Sequence, residues 1–337
     1  MVTRLHAEDN PETTPIDPFR IVANLYYVGS TDLASYLIVT PKGDILINSS
    51  LESSVPLIRS SVEKLGFRFK DIKILLISHA HWDHDAGSAE VKRQSGAQYM
   101  VMDGDVPVVE SGGEKDFAYP EHRYAAAKVD RVLRDGDEVR LGGAVLVAHK
   151  TPGHTRGCTT WTLREKGGGR LLDVVIVGSW YVNPGYRLVD RPGQAASYPG
   201  IAGDYERTFS VLKNLPCDVF LGAHGMYFGM LEKLSRVGAG STENVWVDPL
   251  GYQAAVAERR AAFEAELMRQ RSQRERINPG TSSLRVCARF RLERSKPVRS
   301  AECSGGGIHV LRRRWTRKSL LYLRSSHQKL RALVRPI

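Results

Sequence analysis

The stretch KILLISHAHWDHDAG, residues 73–87, decides how the rest of the chain is read. KILLIS (73–78) is a short apolar run rich in β-formers, which reads as a buried strand. In an extended segment residues two apart share a face, so His79 and His81 can point into one cavity. Asp83 and His84 follow on the turn into the next helix. An isolated histidine usually finds its partner in neighbouring protein. Four potential ligands crowded behind one strand form a metal-site pattern instead.

Two further histidines sit in matching contexts. His154 lies in Thr151-Pro152-Gly153-His154-Thr155, after a strand ending near Lys150. His224 lies in Gly222-Ala223-His224-Gly225, after Val219-Phe220-Leu221. Each ends a strand beside glycines that let the backbone come close. His6, His122, His149, His309 and His327 lack this context and read as ordinary surface or loop residues.

Outward from the histidine cluster, residues 20–29, 34–40 and 43–49 read as three strands separated by turn signals. Residues 53–66 read as a helix, since Val55, Ile58, Val62 and Leu65 recur three and four apart and Gly66 ends the run. A helix over 86–94, a strand over 97–102 and a short helix near 104–110 follow. Strands are expected within 130–151, at 158–165 and at 171–179. A helix near 203–214, a strand at 217–223 and a helix over 251–271 complete the pattern. Residues 111–127 and 180–199 are long loops. This order predicts two α/β halves whose sheets stack face to face with helices outside.

H-x-H-x-D-H, then T-P-G-H-T, then G-A-H-G, resembles the metallo-β-lactamase superfamily over about residues 20–270. The resemblance implies an α/β fold, a four-layer αββα sandwich with a dinuclear metal site at one edge. It implies two Zn²⁺ per chain: a first zinc on His79, His81 and His154, and a second on Asp83, His84 and His224. A three-histidine set is a catalytic zinc pattern that leaves a position open for water.

The position after the VVIV strand separates branches of that family. Many of its hydrolases, such as glyoxalase II and the lactonases, place a bridging Asp there, and two lactamase subclasses place a Cys. This chain has Gly178-Ser179, and a neutral hydroxyl is a poor zinc ligand. The pattern is most similar to subclass B3 metallo-β-lactamases. The resemblance therefore implies hydrolysis of the β-lactam amide by a metal-bound hydroxide, with Asp83 as a proton shuttle. It places Tyr186 near the oxyanion, and Ser179 and Asn183 with Tyr186 among the substrate contacts. Trp82, Phe117, Tyr119 and Trp180 can supply apolar contact from the flanking loops, although packing under the metal loop is the favoured reading of Trp82. Asn48-Ser49-Ser50 replaces the Asp-Gly that many members carry after the third strand, so support of the ligands is altered there. Cys217 has no partner near Gly251-Tyr252, and Cys158 has none either. Both read as core thiols.

Composition sets the remaining bounds. The chain has 337 residues and a net charge of +11. Residues 271–337 hold 18 Lys/Arg against 3 Asp/Glu, while the rest holds 30 against 34. The basic character thus belongs to a tail, and the body is mildly acidic. The domains are read as an N-terminal arm at 1–19, polar, Pro-rich and loose, a catalytic domain at 20–270 and a basic extension at 271–337 outside the family fold. Four Cys do not make a disulfide framework. No run of 18 apolar residues would span a membrane, and the first residues lack a signal-peptide core. The resemblance nonetheless implies a periplasmic site of action. The expected partner is a small β-lactam, with no obligatory nucleic acid. Two other readings stand beside it: a hydrolase of the same fold acting on a lactone or thioester, and nucleic-acid binding through the tail.

Overall fold

The computed structural model describes residues 10–239 and 244–277. In chain order its elements are β1 (Phe19–Val22), β2 (Leu25–Tyr27), β3 (Tyr36–Thr40), β4 (Gly43–Ile47), α1 (Val55–Lys64), β5 (Ile72–Leu76), α2 (Trp82–Asp85), α3 (Ser88–Ser95), β6 (Gln98–Met102), α4 (Val106–Val109), β7 (Arg131–Leu133), β8 (Glu138–Leu141), β9 (Ala144–Lys150), β10 (Thr159–Gly167), β11 (Arg170–Val177), α5 (Ile201–Asn214), β12 (Val219–Gly222), α6 (Met230–Gly238) and α7 (Pro249–Ile277).

Two sheets result. One runs β1-β2-β3-β4-β5-β6-β7, and the other β12-β11-β10-β9-β8. Strand parity explains the layers. In β4, Ile45 and Ile47 join the core between the sheets, while Leu46 faces the opposite way with Val55, Ile58 and Val62 of α1. In β5, Ile74 and Leu76 point into the shared core, and Leu75 points to the helix side with Val91 of α3. Both faces of this sheet are therefore buried, which is why its parallel strands read as continuous apolar runs. Each fully buried Leu or Ile stabilises the fold by about 1.5–3 kcal/mol. Tyr205 and Phe209 of α5 and Phe263 of α7 close the second sheet's outer side, with Phe263 stacked on both rings. This is the expected αββα order.

Single hydrogen bonds tie the halves together at the site end. Trp161 Nε1 of β10 donates to the Ile77 carbonyl at 3.1 Å. The Tyr36 hydroxyl of β3 donates to the Gly222 carbonyl at 2.7 Å.

Several expectations need correction. Residues 20–29 are not one strand: β1 and β2 form an antiparallel hairpin, with Ala23 at φ 48° in the turn. The turn carries Asn24 but no Gly or Pro, and apolar residues flank it closely on both sides, which hides the break. Residues 10–18 are not loose. The Pro11 carbonyl accepts from Ser30 Oγ (3.0 Å), Thr31 Oγ1 (2.8 Å) and the Asp32 N–H (3.1 Å). Helix α6 was not anticipated. Helix α7 continues past residue 270 to Ile277, and the rest of the basic extension lies outside the described residues. No described helix is long and apolar enough to cross a membrane. Cys158 and Cys217 are free thiols.

Candidate metal centre

Strand β5 ends at Leu76, and the chain then runs extended to His81, which starts α2. That short helix lifts Asp83 and His84 back toward His79. The β9–β10 connection brings His154, and the segment after β12 brings His224. At Gly153 the backbone has φ 128°, and a Cβ would stand 2.7 Å from the Tyr205 ring. Only glycine fits this turn, which delivers His154.

All six predicted ligands meet. One set of ligand atoms from His79, His81 and His154, and another from His79, Asp83 and His84, each lie within 4.8 Å of one another. His224 completes the second group: its Nε2 is 3.1 Å from His84 Nε2 and 3.5 Å from Asp83 Oδ2. His79 stands between the two groups, with ring centroids 4.8 Å from His81, 4.6 Å from His154 and 4.3 Å from His84.

The donor set fits metal ions. Both ring nitrogens of His79, Asp83 Oδ1 and His84 Nδ1 are buried without a hydrogen-bond partner. Buried polar atoms rarely go unpaired unless something else satisfies them. Burial, aided by the neighbouring histidines, holds His79 well below its usual pKa. Burial lowers His81 to about 4, and burial with His81 beside it holds His154 low as well. These three are neutral at pH 7, the form that ligates. Burial pushes Asp83 up, but His84 and His224 outweigh it and hold the carboxylate ionised. His224 behaves differently. Burial pulls it down, yet Asp32 and Asp83 lift it to about 9, so a proton must leave when a cation enters.

Partners behind the ligands fix which nitrogen faces inward. His154 Nδ1 donates to the Tyr181 carbonyl at 2.9 Å, leaving Nε2. His224 Nδ1 donates to Asp32 Oδ2 at 2.8 Å, leaving Nε2. His81 turns Nε2 toward Asp116 Oδ2 (3.6 Å) and the Tyr186 hydroxyl (3.4 Å), leaving Nδ1. Asp105 joins the two ligand loops: it accepts from Ala80 N–H (3.0 Å), Thr155 Oγ1 (2.8 Å) and Gly157 N–H (2.7 Å). Asn48, where many family members carry Asp, adopts φ 66° and accepts from the Ser78 N–H at 2.7 Å.

Sequence reasoning missed Asp32, Asp105 and Asp116. Each pairs with a residue remote in sequence, and only Asp105, three residues past the end of β6, carried any local signal.

The expected substrate contacts are placed as follows. The Tyr186 hydroxyl is buried and donates to the His154 carbonyl at 2.8 Å, so its proton is engaged. Ser179 is buried with Oγ 3.2 Å from the Tyr227 hydroxyl. Asn183 Nδ2 donates to the Tyr119 hydroxyl at 2.9 Å, which joins the two flanking loops beside His81. Trp180 is buried against Phe220 and Tyr227, because the segment after β11 turns it into the core, and it offers no groove contact. Trp82 is not packed under the metal loop. It is half-buried and stacks on His122 with centroids 3.8 Å apart, so His122 is more than a plain surface residue. Phe117 packs on Tyr186 and Tyr198.

Comparison with known proteins agrees with this geometry. The family model described as "Metallo-beta-lactamase superfamily" matches residues 33–224. Among solved structures, the native FEZ-1 metallo-beta-lactamase from Legionella gormanii is 52% identical. The match covers 78% of this chain and 100% of that one, with a TM-score of 0.75. BJP-1, a subclass B3 metallo-beta-lactamase of Bradyrhizobium japonicum, is 35% identical over 78% of this chain and 98% of that one, with a TM-score of 0.72. Among curated proteins, the hydroxyacylglutathione hydrolase of Methylobacterium sp. (strain 4-46) is 35% identical over 30% of this chain and 32% of its own length. The chain thus spans about a third of the length of the first such curated relatives. Six converging candidate ligands on an αββα scaffold and a family match across more than half the sequence lead to one conclusion: this chain belongs to the metallo-beta-lactamase superfamily.

Proposed function

We propose that this chain is a dinuclear zinc hydrolase that opens the amide bond of β-lactams. The observation that carries the proposal is the 52% identity to the FEZ-1 metallo-beta-lactamase across that protein's full length. Ser179 supports it, because this position holds no carboxylate of the kind that bridges metals in thioester and lactone hydrolases. The first zinc would rest on His79, His81 and His154, and the second on Asp83, His84 and His224. Bound zinc supplies Lewis acidity and lowers the pKa of water from 15.7 toward about 7.

The chain's own residues do the rest. Asp83 keeps Oδ1 buried and unpartnered, available to take a proton from the attacking water and pass it to the amide nitrogen. Asp105 and Tyr186 hold the ligand loops in register, which pre-organises the site. In the conformation described, Tyr186 acts on His154 and His81 rather than through a free hydroxyl. Asn183 and Tyr119 offer the substrate polar contacts, and Trp82 with His122 forms an apolar wall. Ser179 positions Tyr227.

Nitrocefin and carbapenem turnover by purified protein, with and without chelator, tests the proposal. Chelator-sensitive hydrolysis is expected, with about two zinc ions per chain by metal analysis. Absence of that turnover would sink it. The match to hydroxyacylglutathione hydrolases over 102 residues favours one other reading, a thioesterase. Turnover of a hydroxyacylglutathione thioester without lactam hydrolysis would select it.

A further inference from the structure

Loop 180–199 and α7 enclose a cleft of about 570 Å³, with Asn183 and Tyr186 in its wall. No metal ligand lines it. Four arginines do, Arg187, Arg191, Arg259 and Arg269, against one acid, Glu266. Glu266 is taken by Arg269 through hydrogen bonds of 2.7 and 2.6 Å. Arg259 lies 5.0 Å over the Tyr181 ring. Among the described residues neither Arg187 nor Arg191 has a carboxylate within ion-pair distance. Arg191 Nε is buried with no hydrogen-bond partner at all.

Arg259 is paired with Glu258 and Arg269 with Glu266, and Arg187 Nε donates to the Ala195 carbonyl at 2.7 Å. Arg191 is the guanidinium left to seek an acceptor, since a buried N–H without one loses its hydration. Guanidinium groups in such a fork match the oxygens of phosphate and carboxylate. The volume is that of an ordinary small-ligand site.

The cleft walls are also the supports of the metal site. The Tyr181 carbonyl accepts from His154 Nδ1 and, at 2.6 Å, from the Tyr205 hydroxyl. The Tyr186 hydroxyl reaches the His154 carbonyl, while its own carbonyl accepts from Gln270 Nε2 of α7 at 2.8 Å.

We propose that this cleft is a second binding site, for a small oxyanion-bearing molecule, either a phosphomonoester or a dicarboxylate. Occupancy joins the loop arginines to α7 and stiffens the segment that holds His154. The proposed ligand differs from the substrate of the metal centre, although the cleft shares Asn183 and Tyr186 with that site's loop.

The test titrates the full-length protein with inorganic phosphate and, separately, with succinate at low salt. Binding is read by the fluorescence of Trp180, which lines the cleft, and by the shift in Tm. Protein is used both zinc-loaded and stripped by chelator. Saturable binding is expected in both metal states, and it should weaken at least about tenfold in Arg187→Gln and in Arg191→Gln. Arg187 is exposed, so its variant keeps the assay valid if Arg191→Gln fails to fold. A response to phosphate alone assigns a phosphate-bearing ligand, and a response to succinate alone assigns a carboxylate. Binding that vanishes on metal removal, binding unchanged in both variants, or no saturable change in either readout would each overturn the proposal.

Discussion

Asp32 grips His224 with one carboxylate oxygen, at 2.8 Å from Nδ1, and takes the Met226 N–H with the other at 3.0 Å. The same residue is held from behind, since its own N–H donates to the Pro11 carbonyl of the N-terminal segment. A carboxylate behind a ligating imidazole fixes the tautomer and raises ligand basicity. Asp32→Asn should therefore weaken the second metal by about 10–100-fold while the His79, His81 and His154 site keeps its affinity. Competition with a chromophoric chelator resolves the two sites. Equal loss at both would show that Asp32 serves the fold instead.

Asp105 gives a pH signature. Burial is the largest influence on it and raises it to about 6, above the unfolded value of about 3.9. The folded protein then holds the proton more tightly than the unfolded chain. The associated stability is complete below about pH 4 and is lost as pH rises through about 6. Asp105→Asn removes this titration but offers only one accepting oxygen to three donors. The variant should be less stable throughout, and its deficit should shrink by up to roughly 3 kcal/mol between pH 4 and 7. Urea unfolding of metal-free protein at several pH values measures this. A deficit independent of pH would contradict it.

Gln270 marks where the folded body needs its last helix. Its Oε1 accepts from the Leu188 N–H at 2.8 Å while Nε2 donates to the Tyr186 carbonyl at 2.8 Å. Chains ending after Arg271 should retain fold and activity, whereas chains ending after Leu267 should not. Gln270→Ala should cost about 1–3 kcal/mol, since two buried backbone groups lose their partners. Thermal unfolding of the three variants decides it.

Trp82 tests the groove wall. Its stacking on His122 is partly exposed, so Trp82→Ala should leave zinc content and fold intact. KM for a lactam with an apolar side chain should rise by about 2–12-fold with kcat little changed, the loss expected for an aromatic contact of about 0.5–1.5 kcal/mol. Loss of zinc in this variant would place Trp82 in support of the ligands.

The convergence of the candidate ligands was legible because each sits at the end of a strand or just beyond it. H-x-H-x-D-H has no ordinary reading, and the glycines beside His154 and His224 mark tight backbone. The sheets were legible from short continuous apolar runs such as β4 and β5, which are buried on both faces. The hairpin at Ala23 was not, because Asn24 is the lone turn residue in it and no Gly or Pro marks the break. Asp32, Asp105 and Gln270 were invisible for a different reason. Their partners lie 192, 50 and 84 positions away, and no local pattern encodes a contact of that span. Trp82 and Trp180 show the same limit: composition offers an aromatic, and only packing says which one faces solvent.

The spacing of the ligands along the chain also orders events in time. His79, Asp83 and His84 lie in one short segment and are the first of the candidate ligands to leave the ribosome together. His154 and His224 follow far behind, with His84 and His224 separated by 140 positions. A growing polypeptide can therefore hold at most a provisional ion at its centre. The full set of six candidate ligands must wait until the second sheet has closed over the first.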